Sequence, residues 1–335
     1  MLSEMEIGRT LRVATEARRT GLDEIVKASE LVEVRPARGQ HLSLASRKAL
    51  NLMIQTAAGE AWRPGDHRVS KKTLRRSHES NDRLDDILRE IGSTILEIRH
   101  TIDGKPGTLR VPILSASFEP DDSEDSYVTF RFTDEVRALL ASSETYAALE
   151  TKVVLAFKSK YSLALYELGA QLSGRRDPVK TYTVDDLRQV VGVPPKAMTR
   201  WQDFRRYVLE LAAAEINQLA PFDMTFTPIK NGRSIERVEL QFWRKGMAKI
   251  VEAKTEIDRH SIGRKARREG KVDKVAIAPA LPPLRLSGIP GVPIEDIERL
   301  MKAVKRPQDV IARAMDAEKS TPGRGREIIQ SALTD

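Results

Sequence analysis

Two runs of predicted helices, each followed by a two-strand hairpin, indicate an α+β fold with two tandem winged-helix domains. The clearer run lies between Lys158 and Arg244, and its hairpin has the basic tip Lys230–Arg233. The weaker run occupies residues 42–150. These observations divide the chain into an N-terminal arm (1–40), a first winged helix (41–150), a second winged helix (151–246) and a basic, partly disordered tail (247–335).

The first winged helix is predicted from apolar spacing and from residues that cap helices. A helix covers Leu42 to Ile54 with Ser43 or Ser46 as its N-cap, and Ser70 caps the basic turn Lys71–Arg76. A helix then follows Ser80 or Asn81. Its apolar positions recur at helical spacing, and two strands joined by an acidic turn come after it. The positions are Leu84, Ile87, Leu88, Ile91 and Ile95, the strands are Leu109–Ser117 and Tyr127–Phe132, and the turn is Glu119–Asp125.

The second winged helix has sharper boundaries. Ser159 caps a helix over Lys160–Leu172, Thr183 caps Val184–Val191, and Gly192–Pro195 breaks the chain before a long helix. That helix runs from Trp201 to Leu219, and the strands Met224–Pro228 and Ile235–Trp243 follow it.

The overall charge points to an anionic partner. The net charge is +8 and the isoelectric point is near 9.6, which favours nucleic acid or an anionic membrane surface. No apolar run approaches the roughly 18 residues that span a bilayer, and residues 1–20 lack an apolar signal core, so we expect a cytoplasmic protein. The absence of cysteine excludes disulfides, thiolate catalysis and Cys-ligated metals.

One face of the helix Trp201–Leu219 has the chemistry of a base-reading surface. At about 100° per residue from Phe204, the residues Tyr207, Val208, Leu211, Ala212 and Leu219 form the predicted core stripe. The opposite face holds Gln202, Arg206, Leu209, Ala213 and Asn217, with Arg205 on its flank. Arg can pair with guanine, and Gln or Asn with adenine, in the major groove. The alternative is the solvated face of an ordinary surface helix, but the nearby basic residues favour DNA.

The candidate DNA-binding residues form three groups. The first winged helix contributes phosphate contacts from Lys71, Lys72, Arg75 and Arg76. The second contributes Lys158, Lys160, Lys196, Arg200, Gln202, Arg205, Arg206, Leu209, Lys230 and Arg233. The acidic turn is expected to face away from DNA.

The basic stretch 244–274 fits either an extra phosphate contact or a solvated helix, and residues 278–293 are typical of a linker before a small amphipathic helix or pair over 294–317.

Four segments in order resemble the theta-type, iteron-binding plasmid replication initiators. They are Phe157–Leu168, Thr183–Arg188 with Val191–Val193, Trp201–Leu209 with Glu215–Asn217, and Lys230–Arg233. The resemblance covers residues 150–245. The chain departs from the family pattern at Trp201, where Tyr is common, and at Pro194–Pro195, which shorten the turn before the long helix.

This resemblance implies two winged helices and a role in replication. It implies binding of direct repeats at a plasmid origin as a monomer, opening of adjacent A·T-rich DNA, and recruitment of the host initiator and replicative helicase. It also implies a homodimer, joined through the first winged helix, that represses its own promoter. The family's base-reading helix maps onto Gln202, Arg205, Arg206 and Leu209, and its wing onto Lys230 and Arg233.

Two other functions are considered. A winged-helix transcriptional repressor would share the fold but bind inverted repeats. A DNA nickase or recombinase would need a catalytic tyrosine, for which Tyr161 and Tyr166 are candidates, together with an activating metal. The histidines His41, His67, His78, His100 and His260 form no metal pair, and Asp82, Asp85, Asp86 and Glu90 fit a solvated helix face better than a metal site. No phosphate-binding P-loop is encoded, so we expect no enzyme activity, metal or cofactor.

Overall fold

In the computed structural model, the described residues are 7–33, 35–37, 40–58, 65–77, 83–102, 104–120, 126–271, 289, 292, 294–303 and 307–334. They divide into two compact units, Met1–Arg268 and Glu269–Asp335. Within these ranges, no helix combines the length and apolar character needed to cross a bilayer. The predicted caps at Ser80 or Asn81, most of the acidic turn and most of the linker lie outside the described residues.

The N-terminal segment is folded, so the prediction of an arm over residues 1–40 is wrong where the structure describes it. The segment contains α1 (Arg9–Arg19), β1 (Glu24–Ala28), α2 (Ser29–Val32) and β2 (Arg35–Pro36). Strand β1 pairs antiparallel with residues 146–150, and its Ile25 and Val26 are buried. Local sequence patterns did not predict β1, because the strand with which it pairs lies more than a hundred residues away.

The first winged helix is built around α3, whose predicted cap is confirmed: Ser43 Oγ accepts a hydrogen bond from the Ser46 amide at 3.1 Å. Ser70 likewise caps α4 through the Thr73 amide at 3.0 Å. The elements are α3 (Leu44–Ala57), β3 (His67–Ser70), α4 (Lys71–Arg75), α5 (Arg83–Ser93), β4 (Ile95–Ile102), β5 (Lys105–Pro112), β6 (Leu114–Phe118), β7 (Tyr127–Phe132), α6 (Asp134–Ser142), β8 (Tyr146–Glu150) and α7 (Thr151–Ala156).

The strands of this domain form more pairs than predicted. Strand β4 pairs with β2 and β5, and a separate sheet has the order β3-β7-β6. The predicted helix that included Ile95 is wrong at its end, because α5 stops at Ser93 and Ile95 begins β4. Ile95 fits the helical spacing of the preceding apolar residues, so periodicity alone did not reveal the change.

The second winged helix follows the predicted order. Its elements are α8 (Lys160–Leu172), β9 (Val179–Thr183), α9 (Val184–Val190), α10 (Trp201–Phe204), a π-helical turn (Arg205–Glu210), α11 (Leu211–Leu219), β10 (Phe222–Asn231) and β11 (Ser234–Arg244). Ser159 caps α8 and Thr183 caps α9, as predicted. Strand β11 lies between β10 and β9 in a three-stranded sheet. The boundary near residue 150 between the two winged helices stays a prediction.

Beyond residue 246, where the sequence predicted a basic tail, a linker and short helices, the described helices belong to two compact units. Helices α12 (Met247–Asp258) and α13 (Arg264–Arg268) belong to the first compact unit, where α12 packs against α11 and α7. The second unit contains α14 (Ile294–Ala303), α15 (Pro307–Ser320) and α16 (Arg324–Thr334). These three helices share a small apolar core that includes Leu300, Ala314 and Ile329, where the sequence predicted only a helix or pair followed by a polar end.

A buried carboxylate joins α8 to the first winged helix. Glu167 is fully buried and accepts hydrogen bonds from Arg47 Nη2 at 2.9 Å, from Lys27 Nζ at 3.0 Å and from Asn51 Nδ2 at 2.7 Å. Burial acts to raise the pKa of Glu167, but the opposing effects of Arg47 and Lys27 prevail and lower it to about 2. The carboxylate is therefore held ionised between strand β1, helix α3 and helix α8.

We predict that Glu167→Gln destabilises the protein by about 3–5 kcal/mol, because it leaves the buried Lys27 and the partly buried Arg47 without a counter-charge. A folded-state pKa below the usual 4.5 contributes stability that is fully present above about pH 4.5 and is lost as the pH falls through about 2. The free energy of unfolding, measured by urea denaturation, should therefore depend less on pH across this window in the variant. The exposed Glu236→Gln serves as control, and an equal loss in both variants would contradict the role of Glu167.

Candidate nucleic-acid interface

A π-helical turn interrupts the long helix of the second winged helix between α10 and α11. A π turn holds about one residue more than an α turn, so the residues after it are rotated relative to a regular helix. The side chains that face the core are Phe204, Val208, Leu209, Ala212, Ile216 and Leu219. This set differs from the predicted stripe, which was centred on Phe204.

The prediction that Leu209 reads bases is wrong, because Leu209 is 0% exposed and belongs to the core. Conversely, Tyr207 and Leu211, which were predicted to be buried, are each 49% exposed. With Phe204 at 0° and about 100° per residue, the buried residues fall between about 0° and 140°, whereas Tyr207 and Leu211 fall at about 300° and 340°. The core stripe therefore starts at Phe204 instead of being centred on it, which places Tyr207 and Leu211 at the surface and Leu209 in the core.

The remaining predicted reading residues lie on the surface. Gln202, Arg205 and Arg206 each retain contact with solvent, and the two arginines are exposed. Arg205 Nε donates to Glu210 Oε1 at 2.8 Å, which holds its guanidinium along the helix. The guanidinium carbon of Arg206 lies 5.6 Å from the centre of the Tyr207 ring, a cation–π arrangement that limits its freedom. The helix therefore presents two arginines and an amide, which are suitable donors for base edges.

The turn before this helix has an unusual backbone that displays two cations. Lys196 and Met198 have positive φ angles of 68° and 50°, a region that side chains other than glycine seldom adopt. Arg188 stabilises the turn by donating to the carbonyl oxygen of Ala197. Lys196 and Arg200 are both exposed, as a contact with DNA phosphates requires.

The wing is held at a fixed position relative to the helix by Asn217. Its Oδ1 accepts from the Met224 amide at 2.6 Å, and its Nδ2 donates to the Met224 carbonyl oxygen at 3.1 Å. Asn217 therefore positions strand β10 and does not form part of the reading face predicted for it. At the tip of the hairpin, Gly232 adopts a φ of 61°, and Lys230 and Arg233 lie at the surface on either side of it.

The other predicted phosphate contacts have different surroundings. Lys72, Arg75 and Arg76 lie at the surface, whereas Lys71 is partly buried and pairs with Glu119 at 3.0 Å. The Lys158 side chain is exposed, and its backbone amide donates to Glu215 Oε1 at 2.8 Å. Lys160 is half-buried, and burial lowers the pKa of its amino group.

Three of the residues considered for catalysis or metal binding, Tyr166, Glu90 and Asp85, each bond to a neighbouring group of the protein. Tyr166 is buried, burial raises its pKa, and its hydroxyl accepts from the Glu150 amide at 3.1 Å. Glu90 accepts from the Ser43 amide at the start of α3, and Asp85 pairs with Arg89. Among the described residues, no cluster of acidic and histidine side chains could hold a metal ion.

Two family models match the chain in the order of its domains. The model described as "Initiator Replication protein, WH1" matches residues 24–170, and that described as "Initiator Rep protein, WH2" matches residues 183–242. The first match begins at β1, in agreement with the folded N-terminal segment. A search of curated proteins found no match.

A solved structure with a similar fold is the crystal structure of the Pi initiator protein in complex with iteron DNA. The TM-score is 0.50 at 16% sequence identity, and the alignment covers 67% of this chain and 98% of that chain. At this identity the likeness concerns the fold.

We predict that Leu209→Ala costs about 2–5 kcal/mol of unfolding free energy, whereas Leu211→Ala costs less than about 1 kcal/mol. The two substitutions remove the same atoms from positions two residues apart, one buried and one exposed. Thermal and urea unfolding of both variants measure the difference. Equal losses, or a larger loss at Leu211, would contradict the burial of Leu209 and the exposure of Leu211.

Proposed function

This chain belongs to the initiator Rep family, whose models comprise the winged-helix domains WH1 and WH2, and we propose that it initiates plasmid replication by binding direct repeats at the origin. The observation that carries the proposal is the surface set Gln202, Arg205 and Arg206 beside a basic wing that Asn217 holds in register. The complex of the Pi initiator with iteron DNA supports double-stranded repeats as the ligand class.

The two kinds of contact have separate roles in this mechanism. Gln202, Arg205 and Arg206 read base edges in the major groove, where each bidentate contact contributes about 1–3 kcal/mol of discrimination. Lys196, Arg200, Lys230 and Arg233 contact phosphates, which set the position of the helix and much of the affinity but carry no sequence information. Lys72, Arg75 and Arg76 extend the phosphate contacts from the first winged helix.

Binding at the origin leads to the later steps of initiation. The bound protein promotes opening of adjacent DNA and recruits the host replication initiator and the replicative helicase, without catalysis of its own. It acts in the cytoplasm. A homodimer joined through the first winged helix represses the promoter of its own gene. Support for these steps comes from the family to which the chain belongs.

The edge strand β6 is the surface that we assign to the homodimer. Strand β6 lies at one side of the sheet β3-β7-β6, so its outer backbone groups can pair with a second copy. Phe118, at the end of β6, is 64% exposed, and Tyr127 on β7 is 43% exposed. Burial of these aromatic side chains would favour association.

We predict that Arg206→Ala weakens binding to the cognate repeat by about 1–3 kcal/mol and binding to random duplex much less.

Lys230→Ala and Arg233→Ala should weaken both DNAs nearly equally and reduce the salt dependence by about one unit each. Fluorescence anisotropy over a series of salt concentrations measures both effects. The exposed Arg19→Ala, which removes the same charge from α1, is the control.

The choice of DNA distinguishes a replication initiator from a repressor. Direct repeats taken from the DNA beside the gene are compared with the same half-sites arranged as an inverted repeat. A preference for the inverted repeat would favour a repressor. If Arg206→Ala weakened binding to the cognate and random duplexes equally, the proposed base-reading role of Arg206 would be wrong.

We predict that Phe118→Glu shifts the protein from dimer to monomer, because it places a charge on the proposed β6 interface. Sedimentation velocity over a range of concentrations measures the shift. Leu22→Glu, which changes an apolar side chain that is 54% exposed outside this sheet, is the matched control. A dimer that survives Phe118→Glu would place the interface elsewhere.

A further inference from the structure

A basic cleft lies between helix α4, the segment that joins α7 to α8, and the helix pair α12–α13. It is open to solvent and has a volume of about 550 Å³. Its cations are Lys48, Arg75, Arg76, Lys152, Lys158 and Arg259, with Arg264 at the base, and Asp258 is its only acidic lining residue among those described. All of these residues belong to the first compact unit.

The internal ion pairs neutralise only part of this charge. Lys152 pairs with Asp258 at 3.2 Å, and Arg259 lies 3.6 Å from Glu256. In contrast, the side chains of Arg75, Arg76 and Lys158 have no acidic partner among the described residues, although they lie along the open cleft. Three cations therefore remain available to a ligand.

The base of the cleft adds an unsatisfied donor. Arg264 is 7% exposed, and its Nη1 donates to the Ala156 carbonyl oxygen at 3.1 Å. Its Nε is buried without a hydrogen-bond acceptor, and the nearest carboxylate, that of Glu256, lies 3.6 Å away. The pairing with Glu256 therefore offsets part of the charge of Arg264, which still adds to the positive charge at the base of the cleft.

The surrounding positive charge also affects Lys48. Burial, followed by the repulsion of Lys158 and Arg264, lowers the pKa of its amino group to about 8. The amino group already donates to the carbonyl oxygens of Leu155 and Phe157 at 2.7 and 2.8 Å, so it is held rigidly. An anion placed above it would relieve the repulsion between these like charges.

We propose that the basic cleft binds phosphate esters and that α12 and α13 complete this site. Arginine presents planar, multiple donors that suit phosphate oxygens, and arginine predominates among the lining cations that have no acidic partner. The helix pair lies beyond the region matched by either family model, since the second match ends at residue 242. The phosphate comes either from the backbone of bound DNA or from a free polyphosphate. Binding to the DNA backbone rests on the proposed function, whereas binding to a free polyphosphate does not.

The test uses the full chain and a double variant, Arg76→Ala with Lys158→Ala. The control variant, Arg19→Ala with Lys254→Ala, loses the same charge from exposed positions outside the cleft. Inorganic tripolyphosphate is titrated by calorimetry at low salt, and a random-sequence duplex by anisotropy over a salt series. Melting curves for both variants are expected to match the wild type, and Arg76→Glu alone provides the same test with one change.

We expect tripolyphosphate affinity to fall about tenfold or more in the cleft variant, since two charge-assisted contacts are lost. If DNA supplies the phosphate, the salt dependence of duplex binding also falls by about two units, one for each contact. If tripolyphosphate binding weakens but the salt dependence of duplex binding does not change, the ligand of the cleft is a free phosphate ester. Equal behaviour of the cleft and control variants in both assays overturns the proposal. If the wild-type protein bound the cognate repeat no better than random duplex, the proposed replication function would be contradicted. The tripolyphosphate measurement would still test the cleft.

Discussion

The buried carboxylate of Glu167 is the interaction on which the arrangement of this protein depends. It lies on α8, while its partners Lys27, Arg47 and Asn51 come from β1 and α3. Charges removed from water are tolerated only when their partners are close and well oriented, so this network restricts how α8 can lie against the first winged helix. Because α8 also packs on α11 and the wing strands, this restriction extends to the long helix and the hairpin of the second winged helix.

The wing sheet is fixed to α8 by close aromatic packing. A side chain at Gly169 would place its first carbon only 2.3 Å from the Phe222 ring, so the strands can approach the helix only where the side chain is a single hydrogen. The Tyr166 and Phe222 rings stack at 5.6 Å on the same side. Together with the Asn217 contacts to Met224, this packing joins the base of the hairpin to α8 and α11.

Patterns among neighbouring residues predicted the local structure, such as helix caps. They did not predict the pairing of strands that lie far apart in the sequence. The caps at Ser43, Ser70, Ser159 and Thr183 depend on neighbouring residues, and all four were confirmed. Strand β1 was missed because only its distant partner β8 defines it. In the site, exposed cations such as Arg206 were predicted from charge and spacing. Leu209 was misassigned because the predicted core stripe was centred on Phe204, whereas the arc of buried residues starts there. The positioning role of Asn217 required the strand beside it.

The π turn has a consequence for how such a protein diversifies. It lies between α10, whose Phe204 is buried, and α11, whose Ala212, Ile216 and Leu219 are buried. Loss of one codon within residues 205–210 would restore regular α-helical geometry, and because the π turn already absorbs one extra residue, α10 and α11 would keep their orientations relative to each other. A change of length at this turn would therefore alter the side chains in the middle of the helix while the packing at both of its ends is preserved.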